Sequence, residues 1–141
     1  MTQHRILLVE DHLYIRRVLT DQLDHAGYYV VAASSAEEAL LRFATQPIDL
    51  VLTDLHLPGL SGLAFAAQLR AAGGLGARMP IFAMTAGSLA EDGLRCAEAG
   101  ITMLLAKPLS IARFRLAAER CHKASLALRN DASLATASVR L

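Results

Sequence analysis

A doubly wound α/β fold, (βα)5, is what this sequence predicts, and three observations predict it. Short continuous apolar runs alternate with longer amphipathic stretches along the whole chain. None of these runs alternates polar with apolar residues, as strands covered on both faces of a parallel sheet do not. Four of the five amphipathic stretches carry Ser near their starts and three end at Gly, the punctuation of helices.

The first run, Ile6–Val9, leads into a helical stretch from Asp11 to Ala26. Ile15, Val18, Leu19, Leu23 and Ala26 share one of its faces, and Gly27 follows in the C′ position. After the second run, Tyr28–Ala33, Ser35 and Glu38 form a capping box ahead of Ala39, Leu40 and Phe43. The third run, Ile48–Leu52, precedes a helix opened by Ser61, with Phe65, Ala66 and Leu69 inward and Gly73 and Gly74 closing it. The fourth, Ile81–Met84, precedes a second capping box, Ser88 with Glu91, on a helix that stops at Gly100. The fifth run is Ile101–Ala106, and the helix after it begins at Ser110 with Ile111, Phe114, Ala118 and Cys121 on one stripe. Strands that alternate with helices imply right-handed crossovers. Five of them predict the flavodoxin-like order 2-1-3-4-5, with ligands beyond the C-terminal ends of the strands. Residues 1–128 are expected to form one domain, and the Ala/Ser-rich residues 129–141 a tail or linker.

Composition bounds the function. A chain of 141 residues, 54% hydrophobic and 19% charged, can bury a full core and is not disordered. Fourteen basic and 13 acidic residues leave a net charge of +1, so no global field draws nucleic acid or an anionic membrane. The apolar runs are too short to span a bilayer, and Glu10 and Asp11 interrupt the first before a signal sequence could form. A cytoplasmic setting is expected. Cys96 and Cys121 have no disulfide or zinc pattern and read as buried free thiols. The basic residues between Lys107 and Arg129 read as a solvated helix face, and direct DNA binding is not expected.

The chemistry should lie where the strands end. The first ends in Glu10 and Asp11, the third in Asp54, the fourth in Thr85, and the fifth in Lys107 followed by Pro108. Taken singly, such residues are helix caps or loop punctuation. Taken together they supply complementary groups from four strand ends. Three converging carboxylates repel, so a proton or a cation must relieve them. Hard oxygen ligands with room for water suit Mg²⁺. A Lys and a Thr aimed at the same place add a positive charge and a hydroxyl for phosphoryl oxygens. The set describes a phosphoryl-accepting aspartate.

From about Arg5 to Cys121 the pattern resembles the receiver (response-regulator) domain family of two-component signalling. The resemblance rests on Glu10-Asp11 after Ile-Leu-Leu-Val, and on Thr53-Asp54 with Leu57-Pro58-Gly59 and Ser61-Gly62. Met84-Thr85-Ala86 and Lys107-Pro108 complete it. It implies that Asp54 is the phosphoacceptor, with Thr85 and Lys107 on the phosphoryl oxygens. It implies Mg²⁺ held by Asp11, Asp54 and the backbone carbonyl of His56, with Glu10 acting mainly through water. The His56 side chain would stand at the rim, and the Lys107–Pro108 bond would be cis. One departure is Leu104, where receivers usually carry the Tyr or Phe that swings inward as the Thr engages the phosphoryl group. The stretch from Met84 to Gly100 is similar to receivers of hybrid histidine kinases, which pass the group to a histidine phosphotransfer domain. The implied partners are therefore a histidine kinase, a phosphotransfer domain, or both. The alternative is a stand-alone regulator that acts by phosphorylation-dependent protein binding. Either way the domain is a transfer module and not an enzyme. An aspartate-nucleophile phosphatase would need a second Asp where His56 stands, and a flavodoxin-like cofactor site would need Gly and Ser amides where the first loop is acidic.

Overall fold

In the computed structural model, which describes residues 4–123, the five apolar segments are strands. They are β1 (Arg5–Val9), β2 (Tyr29–Ala33), β3 (Leu50–Asp54), β4 (Ile81–Thr85) and β5 (Met103–Ala106). All neighbours pair in parallel, in the order β2-β1-β3-β4-β5. The predicted topology holds. The helices are α1 (Leu13–His25), α2 (Ala36–Thr45), α3 (Gly62–Ala71), α4 (Leu75–Arg78) and α5 (Leu89–Ala99), and residues 111–123 form α6. By its contacts the chain divides into two units, Met1–Ile111 and Ala112–Leu141. The tail expected over 129–141 and the boundary at 128 lie outside the described residues.

Topology dictates which face each helix covers. The step from β1 to β2 runs one way across the sheet, and every later step runs the other way. Right-handed crossovers then place α1 on one face and α2, α3 and α5 on the other. The core agrees: Leu7, Val9, Val51, Ile81 and Ala83 cluster with Ala36 and Ala39 of α2, Phe65 and Leu69 of α3, and Cys96 of α5. The alternate residues Ile6, Leu8, Leu52 and Phe82 are equally buried and point to the other face, the side of α1 and its buried Leu19 and Leu23. Ile111, the last residue of the first unit, is half-buried. In the second unit Phe114 is buried and Ala118 and Cys121 are half-buried, as on the expected stripe, and Ala117 beside them is buried too.

Several expectations need correction. α1 begins at Leu13, not Asp11, because His12 is its N-cap and accepts from the Ile15 N–H. Its first turn overhangs the end of β1, so Leu13, Tyr14 and Ile15 are exposed and Ile15 does not face the core. β2 shows partial alternation because it lies at the sheet edge. β3 is shifted toward Asp54: Thr53 still pairs with Val9 and Asp54 with Met84, so these polar residues belong to the strand. The four-residue helix α4, Leu-Gly-Ala-Arg, was not expected, since one turn has no periodicity to read. Cys121 is half-buried, not buried, although both thiols are free as expected.

Two close approaches set the helix ends. Gly62 opens α3 against β3, where a Cβ would lie 2.3 Å from the Asp54 carbonyl oxygen. At the far end, Arg70 of α3 donates from Nε and Nη2 to the Gly100 carbonyl and from Nη1 to that of Gly76. This guanidinium ties together α3, α4 and the C-terminus of α5.

Candidate functional site

The parallel register carries the strand-end residues to one edge. Val9 pairs with Thr53, so Glu10 follows beside Asp54; Thr85 pairs with Ala106, and the next residue, Lys107, donates its N–H back to the Thr85 carbonyl. The sheet order reverses between β1 and β3, which opens the crevice where Glu10, Asp11 and Asp54 meet.

Three carboxylates converge there. Glu10, Asp11 and Asp54 each offer an oxygen within 4.8 Å of the others; Asp11 is exposed, Glu10 and Asp54 buried. Lys107 Nζ lies 2.8 Å from Asp54 Oδ2 and 3.8 Å from Glu10 Oε2. The Asp54 carboxylate is thus ion-paired on one oxygen, while the other accepts from the His56 N–H at 3.1 Å. His56 itself is exposed, as a rim residue. Glu10 Oε1 accepts from the His12 N–H at 3.3 Å, whereas its buried Oε2 has no hydrogen-bond partner among the described residues. Burial, with the Asp54 charge beside it, pushes Glu10 up to about 7. Arg16 of α1 holds the turn from beneath, donating to the carbonyls of Glu10 and Asp11.

Three clustered acids, one with a buried oxygen that has no hydrogen bond, are offset here only by the Lys107 ammonium, and such a set suits a divalent cation. Its all-oxygen, partly open character fits Mg²⁺ better than a soft metal. The remaining predicted groups stand around it. The Lys107 N–H donates to the Thr85 carbonyl, and the Lys107–Pro108 bond is cis, as expected. Thr85 is buried, with its hydroxyl 2.8 Å from Asp92 Oδ2. Leu104 is half-buried and packs against the core cluster. Sequence reasoning missed Asp92. The signal was present: it lies four residues before the buried Cys96, and so on the apolar stripe of α5.

Comparison with known proteins follows the same lines. Residues 6–119 match the family described as the response regulator receiver domain. The sensor histidine kinase RcsC of Salmonella typhimurium is 37% identical over 106 residues, which cover 75% of this chain and 11% of RcsC. The virulence sensor protein BvgS of Bordetella pertussis is 37% identical over 115 residues, 79% of this chain and 9% of BvgS. The chain thus spans about a tenth of the curated relatives it matches. Among solved structures, the receiver domain of sensor histidine kinase PA1611 from Pseudomonas aeruginosa, with a magnesium ion in its active-site cleft, is similar at a TM-score of 0.76. The two are 34% identical, over 84% of this chain and 97% of that one.

Proposed function

The chain belongs to the response regulator receiver family, and on that premise we propose that it takes a phosphoryl group from a phosphohistidine onto Asp54. One observation carries the assignment of residues: Asp54 is buried beside two further acids, with the Lys107 ammonium 2.8 Å from its Oδ2.

A carboxylate oxygen of Asp54 attacks phosphorus in line with the bond to the donor imidazole. The new P–O bond forms as the P–N bond breaks, and the imidazole keeps that electron pair. Lys107 offsets negative charge on the carboxylate and on the transferring group. The His56 N–H fixes the orientation of Asp54, and the Thr85 hydroxyl would donate to a phosphoryl oxygen. Asp11, Asp54 and the His56 carbonyl, with Glu10 through water, would hold Mg²⁺, which when bound supplies the positive charge that clustered acids and a phosphoryl group together require.

The domain of this reading spans residues 1–128 and works in the cytoplasm as a transfer module without a turnover substrate. The likeness to RcsC, BvgS and the PA1611 receiver supports a place in a hybrid kinase, relaying to a histidine phosphotransfer domain. Incubation with acetyl phosphate and Mg²⁺, followed by intact mass, tests the central step. One added phosphoryl group is expected, absent in Asp54→Ala and in excess chelator; no adduct with any donor would overturn the reading. Exchange with a phosphorylated phosphotransfer domain should then run in both directions, and one-way decay would count against the relay.

A further inference from the structure

Thr85 is the one group of the site whose proton is already committed elsewhere. Its hydroxyl has a single hydrogen. A carboxylate only accepts, so that hydrogen points to Asp92 Oδ2, 2.8 Å away. The hydroxyl oxygen meanwhile accepts from the Gly87 N–H at 3.0 Å. Both partners are held. Asp92 is 6% exposed, sits in the first turn of α5 and receives Arg95 on its other oxygen at 3.4 Å. Gly87 leaves the bond its space: a Cβ there would stand 3.2 Å from Asp92 Oδ2 and 3.4 Å from Thr85 Oγ1. Gly87 is not among the positive-φ glycines, so this crowding, and no backbone demand, is what a side chain would meet.

We infer that Asp92 is a positioning residue that competes with the phosphoryl group for the Thr85 hydroxyl, and so sets how readily the domain adopts its phosphorylated form. The inference rests on the phosphoacceptor reading above. One proton cannot serve two acceptors. When Thr85 turns to a phosphoryl oxygen, the buried Asp92 Oδ2 loses its donor, and that loss opposes the change. The same bond joins β4 to the start of α5, so breaking it frees that helix end.

Beryllofluoride, a non-covalent phosphoryl mimic, makes the competition measurable by calorimetric titration in the presence of Mg²⁺. Asp92→Ala should bind it about tenfold more tightly than the native chain, with Asp92→Asn between them because an amide oxygen is a weaker acceptor. In a Thr85→Ala background the same Asp92 changes should have no effect. A stability role at the helix start would act equally in both backgrounds, and that result would overturn the inference. Unchanged affinity in the Asp92 variants would also overturn it, and Asp92→Asn answers the question should the Ala variant not fold. A native chain that takes up no beryllofluoride overturns the phosphoacceptor reading and this inference together; uptake with the wrong pattern overturns the inference alone.

Discussion

At the scale of single residues, Glu10 shows how burial and neighbouring charge bear on both stability and metal binding. The folded chain holds the Glu10 proton more tightly than the unfolded chain, whose ordinary value is 4.5. Its contribution to stability is therefore fully present in acid and is lost as pH rises toward about 7. Metal-free protein should become less stable over that window, and Glu10→Gln should flatten the profile in urea titrations run at a series of pH values. An unchanged slope would show that another group titrates. Leu104 separates chemistry from readout. It packs on the core and lies outside the acid cluster, so Leu104→Tyr should alter affinity for a phosphotransfer partner more than the rate of phosphorylation from acetyl phosphate. Equal effects on both would join what this structure keeps apart.

Between elements, the junction of β3 and α3 matters most. A Cβ at Gly62 would meet the backbone of Asp54 and Leu55, where no flexible side chain can give way. Gly62→Ala should therefore cost about 1–3 kcal/mol or more and slow phosphorylation, because the shift needed to fit a methyl group moves Asp54 itself. The N-cap Ser88 makes a contrast: its hydroxyl accepts from the Glu91 N–H, and Ser88→Ala should cost only about 1 kcal/mol. Chemical denaturation of both variants checks the order, and a milder effect at Gly62 would contradict the close approach. Caps of this kind were legible in the sequence because Ser followed by Glu three residues on has a mechanism. His12 was not, since a histidine caps only through an unprotonated ring nitrogen and no local pattern announces it.

For the molecule as a whole, topology was the most legible property. Apolar runs mark the strands, and five of them with intervening helices make the order 2-1-3-4-5 the natural choice. The central strands β1, β3 and β4 are buried as such runs predict, while the edge strands β2 and β5 are only partly covered. The site followed from topology, because polar residues that end such strands must share an edge. What remained hidden was a pairing between elements and a very short helix. The stripe position of Asp92 could be read, but its bond to the Thr85 hydroxyl on another element could not, and the single turn of α4 carries no period. Metal linkage is the global counterpart of the acid cluster. Thermal midpoints should rise with Mg²⁺, by the equivalent of about 2.7 kcal/mol at a hundredfold excess over the dissociation constant, and Asp11→Asn should blunt the rise. A midpoint indifferent to Mg²⁺ would remove the cluster as a cation site.

The Arg70 guanidinium gives α5 a fulcrum. Its hydrogen bonds pin the helix at Gly100, while the opposite end meets β4 through the Thr85–Asp92 bond. A rod of 11 residues, about 16 Å long, that is anchored at one tip swings more than it slides. A displacement of an ångström beside Thr85 then becomes a tilt, greatest at the exposed Leu89 and fading toward Gly100. Arg70→Ala is expected to loosen that tip, and faster amide exchange near Gly100 than near Leu89 would register it.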